Sequence, residues 1–504
     1  MASARRTGCA LALASALVSA LPGCAVGPDY KQPDTPLPEL LISAPDASVA
    51  GQPEVRWWDS LGDPTLTRLI EQAVRRSPSI RIAQARIDEA RADYRIFFYD
   101  YFPHGQVEAS FERQEQSTAT LSPGQPRIGN FYSVAATANW EIDVVGRTRR
   151  SVEGAAARVQ ASEASLHDVQ VSLIAEVARS YVTLRGSQRR FLLAVQNAQT
   201  QRETLQLTQN RLEAGRGNAL DVARAQSQFD FTMASVPLLE ILIEQSRNRL
   251  AVLTDRFPEE RDETLLATAP IPETPPTLNI PPPRDLLRRR PDVRVAERTL
   301  AAFTADIGVA TADLYPQISV SALAGYVSPV FSGIGQSRYD TFTIVPGIRW
   351  ALFDLHTVRA RIQASDARQQ GALASFERIV LGALEDAENS LYGYGRQLAR
   401  RRSLESNAQA ADRAAVLARQ RYRDGAASFL DVLDSERSLL TAQDQLAQTQ
   451  QDTALALVAV FTSFGGGWEA FEVGKDGVSD SSTALPHQPS ETAPGSEGKP
   501  SFAR

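Results

Sequence analysis

Phe131-Tyr132-Ser133-Val134-Ala135-Ala136-Thr137-Ala138-Asn139-Trp140-Glu141-Ile142 decides the fold. Tyr132, Val134, Ala136, Ala138, Trp140 and Ile142 fall on one face of an extended chain, and Ser133, Thr137, Asn139 and Glu141 on the other. Three further stretches alternate in the same way. Val107, Ala109 and Phe111 oppose Gln106, Glu108, Ser110 and Glu112; Ile318, Val320, Ala322, Ala324 and Tyr326 oppose Gln317, Ser319 and Ser321; Phe342, Ile344, Ile348, Trp350 and Leu352 oppose Thr341, Thr343 and Arg349. Each runs for roughly 10 to 12 residues, the length of an outer-membrane barrel strand with its apolar side toward lipid. A soluble antiparallel sheet with one wet face would explain any single stretch. Four aromatic-bearing stretches, all beside very long helical segments, favour the barrel. Four strands cannot close, and open edges are not tolerated in hydrocarbon. Other copies of the chain must supply the rest, eight strands from two copies or twelve from three. Polar loops from Gln114 to Asn130 and Val327 to Tyr339 join the strand pairs.

Outward from the strands the chain turns helical. Arg147 to Ala214 and Thr357 to Asp424 contain no proline and are dominated by Ala, Leu, Val, Gln, Arg and Glu, which are strong helix formers. At 1.5 Å per residue such a run reaches about 100 Å, so these helices must pack lengthwise on partners. Gly215 and Gly425 end them as left-handed caps, and second helices are predicted over 219–253 and 428–464. Pro237 is expected to kink the first of these. Pro78 and Pro291 suit first helical turns, opening helices to about Tyr101 and Leu314, and Pro103 and Pro316 then block helix.

These landmarks occur twice. Arg75-Arg76-Ser77-Pro78 returns as Arg288-Arg289-Arg290-Pro291, Trp140 and Asp143 as Trp350 and Asp354, and Arg211-Leu-Glu-Ala-Gly215 with Leu220-Asp221-Val222 as Arg421-Tyr-Arg-Asp-Gly425 with Leu430-Asp431-Val432. The offset stays between 210 and 213 residues, which predicts two repeats with one order of elements. The expected division is a leader (1–23), an extended segment (24–62), repeat 1 (63–270, strand pair about 103–142), repeat 2 (271–468, strand pair about 316–352) and a disordered Ser/Pro/Gly/Glu-rich tail (469–504).

Composition narrows the class. The 504 residues are 43% hydrophobic and 22% charged with a net charge of -6, which gives no basic footprint for nucleic acid. No apolar run long enough to span a bilayer as a helix lies beyond the N-terminus. Arg5 and Arg6 precede an uncharged stretch ending in Leu21-Pro22-Gly23-Cys24, the layout of a secretory leader closing on a lipobox. Cys9 and Cys24 are the only cysteines, which excludes a disulfide scaffold. Cleavage before Cys24 would remove two arginines and move the charge from -6 to -8.

At this point the chain resembles the outer-membrane factors of tripartite efflux systems, the TolC/OprM-like channels, and in particular their NodT-type lipoprotein branch. The resemblance rests on Cys24-Ala-Val-Gly-Pro-Asp-Tyr30, Trp57-Trp58 with Asp63-Pro64, Trp140-Glu-Ile-Asp143 with Gly146, Leu314-Tyr-Pro316, Trp350 with Phe353-Asp354, Leu430-Asp431-Val432-Leu433-Asp434 and Phe464-Gly-Gly-Gly-Trp468. Leu355-His356 departs from it, where the family has a glycine-containing turn. The resemblance implies a mixed α and β homotrimer, a β-barrel with four strands per chain continuous with a long periplasmic α-helical barrel. Tyr132, Val134, Trp140, Ile318, Val320, Phe342, Ile344, Ile348 and Trp350 would face lipid. It further implies acylation of Cys24, anchoring in the outer membrane, and passive conduction of small molecules with a periplasmic adaptor and an inner-membrane pump as partners. Leu430 and Asp434 would form constriction rings with Asp431 beside them, and Arg421, Asp424 and Arg437 the pairs that hold the gate shut. Arg211, Gly215, Leu220, Asp221 and Gly425 would form adaptor-docking tips. Asp431 also stands where it could cap a helix start.

The four histidines are scattered, and no HExxH, GxSxG or Walker loop is present, so no catalytic residue, metal site or cofactor beyond the covalent lipid is expected. A type I secretion-like protein export channel and a periplasmic coiled-coil adaptor or scaffold lipoprotein are the alternatives.

Overall fold

A computed structural model describes residues 25–34, 38, 41–43, 48–117, 119, 126–275 and 277–472. In chain order the elements are β1 (Ser48–Ala50), α1 (Pro64–Arg76), α2 (Pro78–Tyr99), β2 (His104–Glu115), β3 (Ile128–Ile142), α3 (Arg147–Glu213), α4 (Ala219–Leu253), α5 (Glu263–Leu266), β4 (Leu278–Ile280), α6 (Pro283–Arg289), α7 (Pro291–Ala312), β5 (Gln317–Ser328), β6 (Asp340–Arg349), α8 (Leu355–Arg423) and α9 (Phe429–Ser463). The succession helix, strand, strand, very long helix, long helix therefore occurs once before residue 254 and once after residue 290. Cys24, the leader and residues 473–504 lie outside the described residues.

The helices begin where the local chemistry directs. Pro64, Pro78 and Pro291 are all first-turn residues, and Asp63 caps α1 by accepting from the amides of Thr65 (2.9 Å) and Leu66 (3.3 Å). α3 has 67 residues and α8 has 69, each about 100 Å long. Their ends differ slightly from expectation. α2 and α7 stop at Tyr99 and Ala312, two residues short of the predicted ends, because the chain tightens into 3-10 turns there. α4 runs unbroken from Ala219 to Leu253 with Pro237 inside it.

One sheet has the order β2-β3-β5-β6, antiparallel throughout, and sits at the start of the two longest helices. The turns between α3 and α4 and between α8 and α9 form the opposite end. The main core lies between them, where the middle of α3 meets α1, the last turns of α4 and α9, and the N-terminal chain. Trp57 and Trp58 are fully buried there, Trp57 stacking on Phe461 with centroids 5.0 Å apart and Trp58 on Phe471 at 5.8 Å. The tryptophan pair and the glycine-rich C-terminal motif, far apart in sequence, thus form one cluster. A short parallel pair, β1 with β4, binds the N-terminal segment to the same belt.

Asp262 ties the connection after α4 to that belt. Partial burial alone would raise its carboxyl, but hydrogen bonds from Thr264, Arg68 and Arg256 outweigh it and hold the group down at about 2. Because the folded value lies below the unfolded one, the stabilisation is complete above pH 4 and is lost as the pH falls toward 2. It amounts to on the order of 2 kcal/mol. Asp262→Asn is therefore expected to speed amide exchange of residues 256–266 roughly thirty-fold at pH 7. An unchanged exchange rate would show that the node carries no stability.

Candidate functional site

The sheet is assembled from residues whose register is continuous across all four strands. Val107, Ala136, Ala324 and Phe342 form one row; Ala138, Ala322 and Ile344 the next; then Trp140, Val320 and Pro346; then Ile142, Ile318 and Ile348. Val134 and Tyr132 lie on the same face one and two rows toward the loop end, respectively. The opposite face carries Gln106, Thr137 and Thr343, and the pair Asn139 and Ser321, joined by a 2.7 Å hydrogen bond. Leu323 and Val345 interrupt its polarity. The apolar face is uncovered: Phe342 is 79% exposed and Ile344 66%. An exposed apolar surface of this extent needs a covering medium.

Aromatic residues mark both ends of that face. Phe111 lies against Tyr132 (centroids 4.8 Å), and Tyr132 against Phe331 (5.8 Å), at the loop end. Trp140 lies at the helical end, its indole N–H donating to the Tyr101 carbonyl at 2.9 Å. Tyr132 and Trp140 are separated by about 27 Å along the strand, close to the height of the lipid-facing band of a membrane barrel. Trp350 does not belong to the strand, contrary to expectation. β6 ends at Arg349, the Trp350 indole donates to the Leu314 carbonyl at 3.0 Å, and the chain turns through a 3-10 turn at Leu352–Asp354 into α8. The ladder ends one residue before Trp350, because β5 begins at Gln317, opposite Arg349, and Pro316 has no N–H to extend the pairing; the earlier start of α8, at Leu355, follows from the lack of a glycine turn. β2 and β6 are edge strands, each with one unpaired side.

At the far end, the two interhelical turns are built alike. Gly215 (φ 70) and Gly425 (φ 77) adopt the left-handed conformation that closes each long helix, with Arg216 N donating to Arg211 O and Ala426 N to Arg421 O, both at 2.8 Å. Asn218 caps α4 through the Asp221 amide. Ser428 caps α9 and Asp431 completes the box, its carboxylate accepting from the Ser428 amide at 2.9 Å. That bonding to Ser428 holds the Asp431 carboxyl below the usual range. Asp431 is thus occupied by the helix start. Leu430 and Asp434, by contrast, are exposed on one flank of α9, whereas Phe429, Val432 and Leu433 pack inward with Tyr422 and Leu205.

Contacts between the two hairpins set the geometry of this end. Arg211, on the last turn of α3, donates to the Tyr422 carbonyl at 2.6 Å and lies over the Tyr422 ring at 4.5 Å. Arg437 donates to Gln228 of α4 at 2.7 Å, so it bridges α9 to α4 and is not paired with Asp434. Glu436, 7% exposed, accepts from Thr204 of α3 at 3.0 Å, with Arg419 of α8 3.9 Å away. Burial pushes its carboxyl above the usual range despite those two partners. Higher up, Arg190 of α3 forks onto Asp444 of α9 at 2.7 and 3.1 Å. The structure brings Arg211 and Arg437 into the inter-hairpin contacts and leaves Arg421 and Asp424 exposed on the turn. Tyr422, Gln228, Thr204 and Glu436 were not singled out from sequence, since no local pattern reveals a partner on the other hairpin. Among the described residues no cluster of carboxylates, histidines and cysteines could hold a metal ion, and no helix is long and apolar enough to cross a membrane.

The sequence model of the family "Outer membrane efflux protein" matches residues 69–255 and again 283–466. The chain is 30% identical over 456 residues to nodulation protein T of Rhizobium leguminosarum bv. trifolii, covering 89% of this chain and 95% of that one. It is also 30% identical over 461 residues to the solvent efflux pump outer membrane protein SrpC of Pseudomonas putida, covering 89% and 96%. Its fold is similar to the solved structure of the outer-membrane channel OprN, with a TM-score of 0.83 and 39% identity over 88% of this chain and all of the other.

Proposed function

This chain belongs to the outer membrane efflux protein family, and on that premise we propose that it is the outer-membrane channel of a tripartite efflux pump. Three copies close a twelve-stranded barrel by pairing β6 of one chain with β2 of the next, and α3, α4, α8 and α9 of the three continue it as a tunnel. The channel conducts passively. A periplasmic adaptor and an inner-membrane pump supply docking and energy, and the cargo is small, drug-like or solvent-like molecules. A lipid on Cys24 adds an anchor in the outer membrane. The tip is the gate, with Leu430 and Asp434 of each copy as its apolar and acidic rings. Arg211, Gly215, Leu220, Asp221 and Gly425 at the hairpin ends meet the adaptor.

The observation that supports this best is the sheet: one apolar face, rimmed by aromatics at both ends, with two free edges and no internal way to close. The test is electrical. Purified protein added to a planar bilayer is expected to give discrete conductance steps. A bilayer that stays silent, with protein recovered intact, would overturn the proposal.

A further inference from the structure

We propose that Arg150 is a positioning residue that seats residues 25–29 beside the sheet and thereby fixes the depth at which a lipid on Cys24 enters the membrane; this rests on the lipoprotein part of the proposed function. The segment from Ala25 to Tyr30 is held by a built receptor. The Val26 amide donates to the Val145 carbonyl at 3.0 Å. Arg150, whose side chain is only 4% exposed, donates through Nε to Val26 O (3.1 Å) and through one terminal nitrogen to Gly27 O (3.4 Å) and Asp29 (2.6 Å). The other terminal nitrogen is bound by Glu153 at 2.8 Å. A buried guanidinium thus takes three of its four acceptors from this segment, two backbone carbonyls and the Asp29 carboxylate, and removing the segment would leave it with Glu153 alone.

The fit around it is close. Gly27 has φ 89, and a Cβ on it would stand 2.5 Å from the Gly308 Cα; a Cβ on Gly146, φ 83, would stand 2.6 Å from the Ala25 Cα. Only glycine lets these backbones touch. Tyr30 closes the far side by donating to Glu297 at 3.0 Å under the Arg298 guanidinium. Val145 follows the last residue of β3 by three positions, so residue 25 lies level with the helical end of the apolar face. The second junction, Asp354-Leu355-His356, has no glycine and offers no equivalent seat. A lipid one residue before Ala25 would therefore enter at one fixed level.

The test uses the full-length protein with Pro28→Cys carrying a nitroxide; Cys9 departs with the leader and Cys24 is occupied by lipid. In liposomes the label is expected to be immobile and at one depth by power saturation. Arg150→Ala is expected to raise the mobile fraction roughly tenfold and broaden the depth while palmitate incorporation persists. Arg150→Lys, which keeps the charge without the planar fork, should restore part of both. Asp29→Ala provides a second variant that leaves the helix intact, with a smaller change in the same direction. An immobile label at unchanged depth in acylated Arg150→Ala would overturn the inference. Lack of palmitate in the parent would instead remove the lipoprotein reading, and the depth assignment with it, whatever the mobility shows.

Discussion

Phe342→Arg is expected to remove the protein from the outer membrane. Phe342 stands in the middle row of the apolar face, 79% exposed, beside Ala324 and between the aromatic rims. Arginine at the midplane of a barrel's lipid face costs about 2–4 kcal/mol, and every copy in an assembly would bear it. Fractionation should show loss of the outer-membrane pool and of any heat-resistant oligomer. The adjacent Thr343→Arg is the control: Thr343 points to the opposite face, next to Leu323, and its change should leave insertion intact while altering conductance. Equal tolerance of both substitutions would mean that the apolar face does not meet lipid.

Arg211→Ala is expected to open the tip. Arg211 joins the two hairpins through the Tyr422 carbonyl and ring, and neither contact survives truncation. A hydrogen bond from a charged donor contributes roughly 1.5–3 kcal/mol and an exposed cation–π contact about 0.5–1, the two overlapping in one geometry. About 2 kcal/mol lost from the closed arrangement is roughly thirty-fold in the closed-to-open ratio per chain. Single-channel recording should show longer open times and larger conductance, and cells should admit a bulky antibiotic that the parent excludes. Arg211→Lys keeps the charge but loses the planar stacking, so it should fall between the two. Unchanged openings in Arg211→Ala would place the gate elsewhere.

Much of the fold is legible in the sequence, and the reason is periodicity. The alternation around Trp140 placed the strands because a one-residue slip would send every apolar side chain to the wrong face. Gly215 and Gly425 ended the long helices where predicted because the left-handed closing turn is local chemistry. Trp350 falls outside its strand for the opposite reason: the ladder stops where β5 begins, at Gln317 opposite Arg349, a pairing across 32 residues that no window of sequence contains. Arg211 was legible as part of a turn, but its partner lies 211 residues away. Arg437 is expected to link helices, but its partner, Gln228, lies 209 residues away on another hairpin. Asp431 offers two roles with one spacing, and the serine three residues before it makes the capping one. The seat of Arg150 is hidden altogether, because two of its acceptors are backbone oxygens and a third, Asp29, lies 121 residues away.

Four strands per chain are too few to close a barrel. Native mass spectrometry of the particle extracted from outer membranes in mild detergent tests this most directly. Three chains per particle is the predicted result. A stable single chain, or protein recovered from the soluble fraction without detergent, would contradict it.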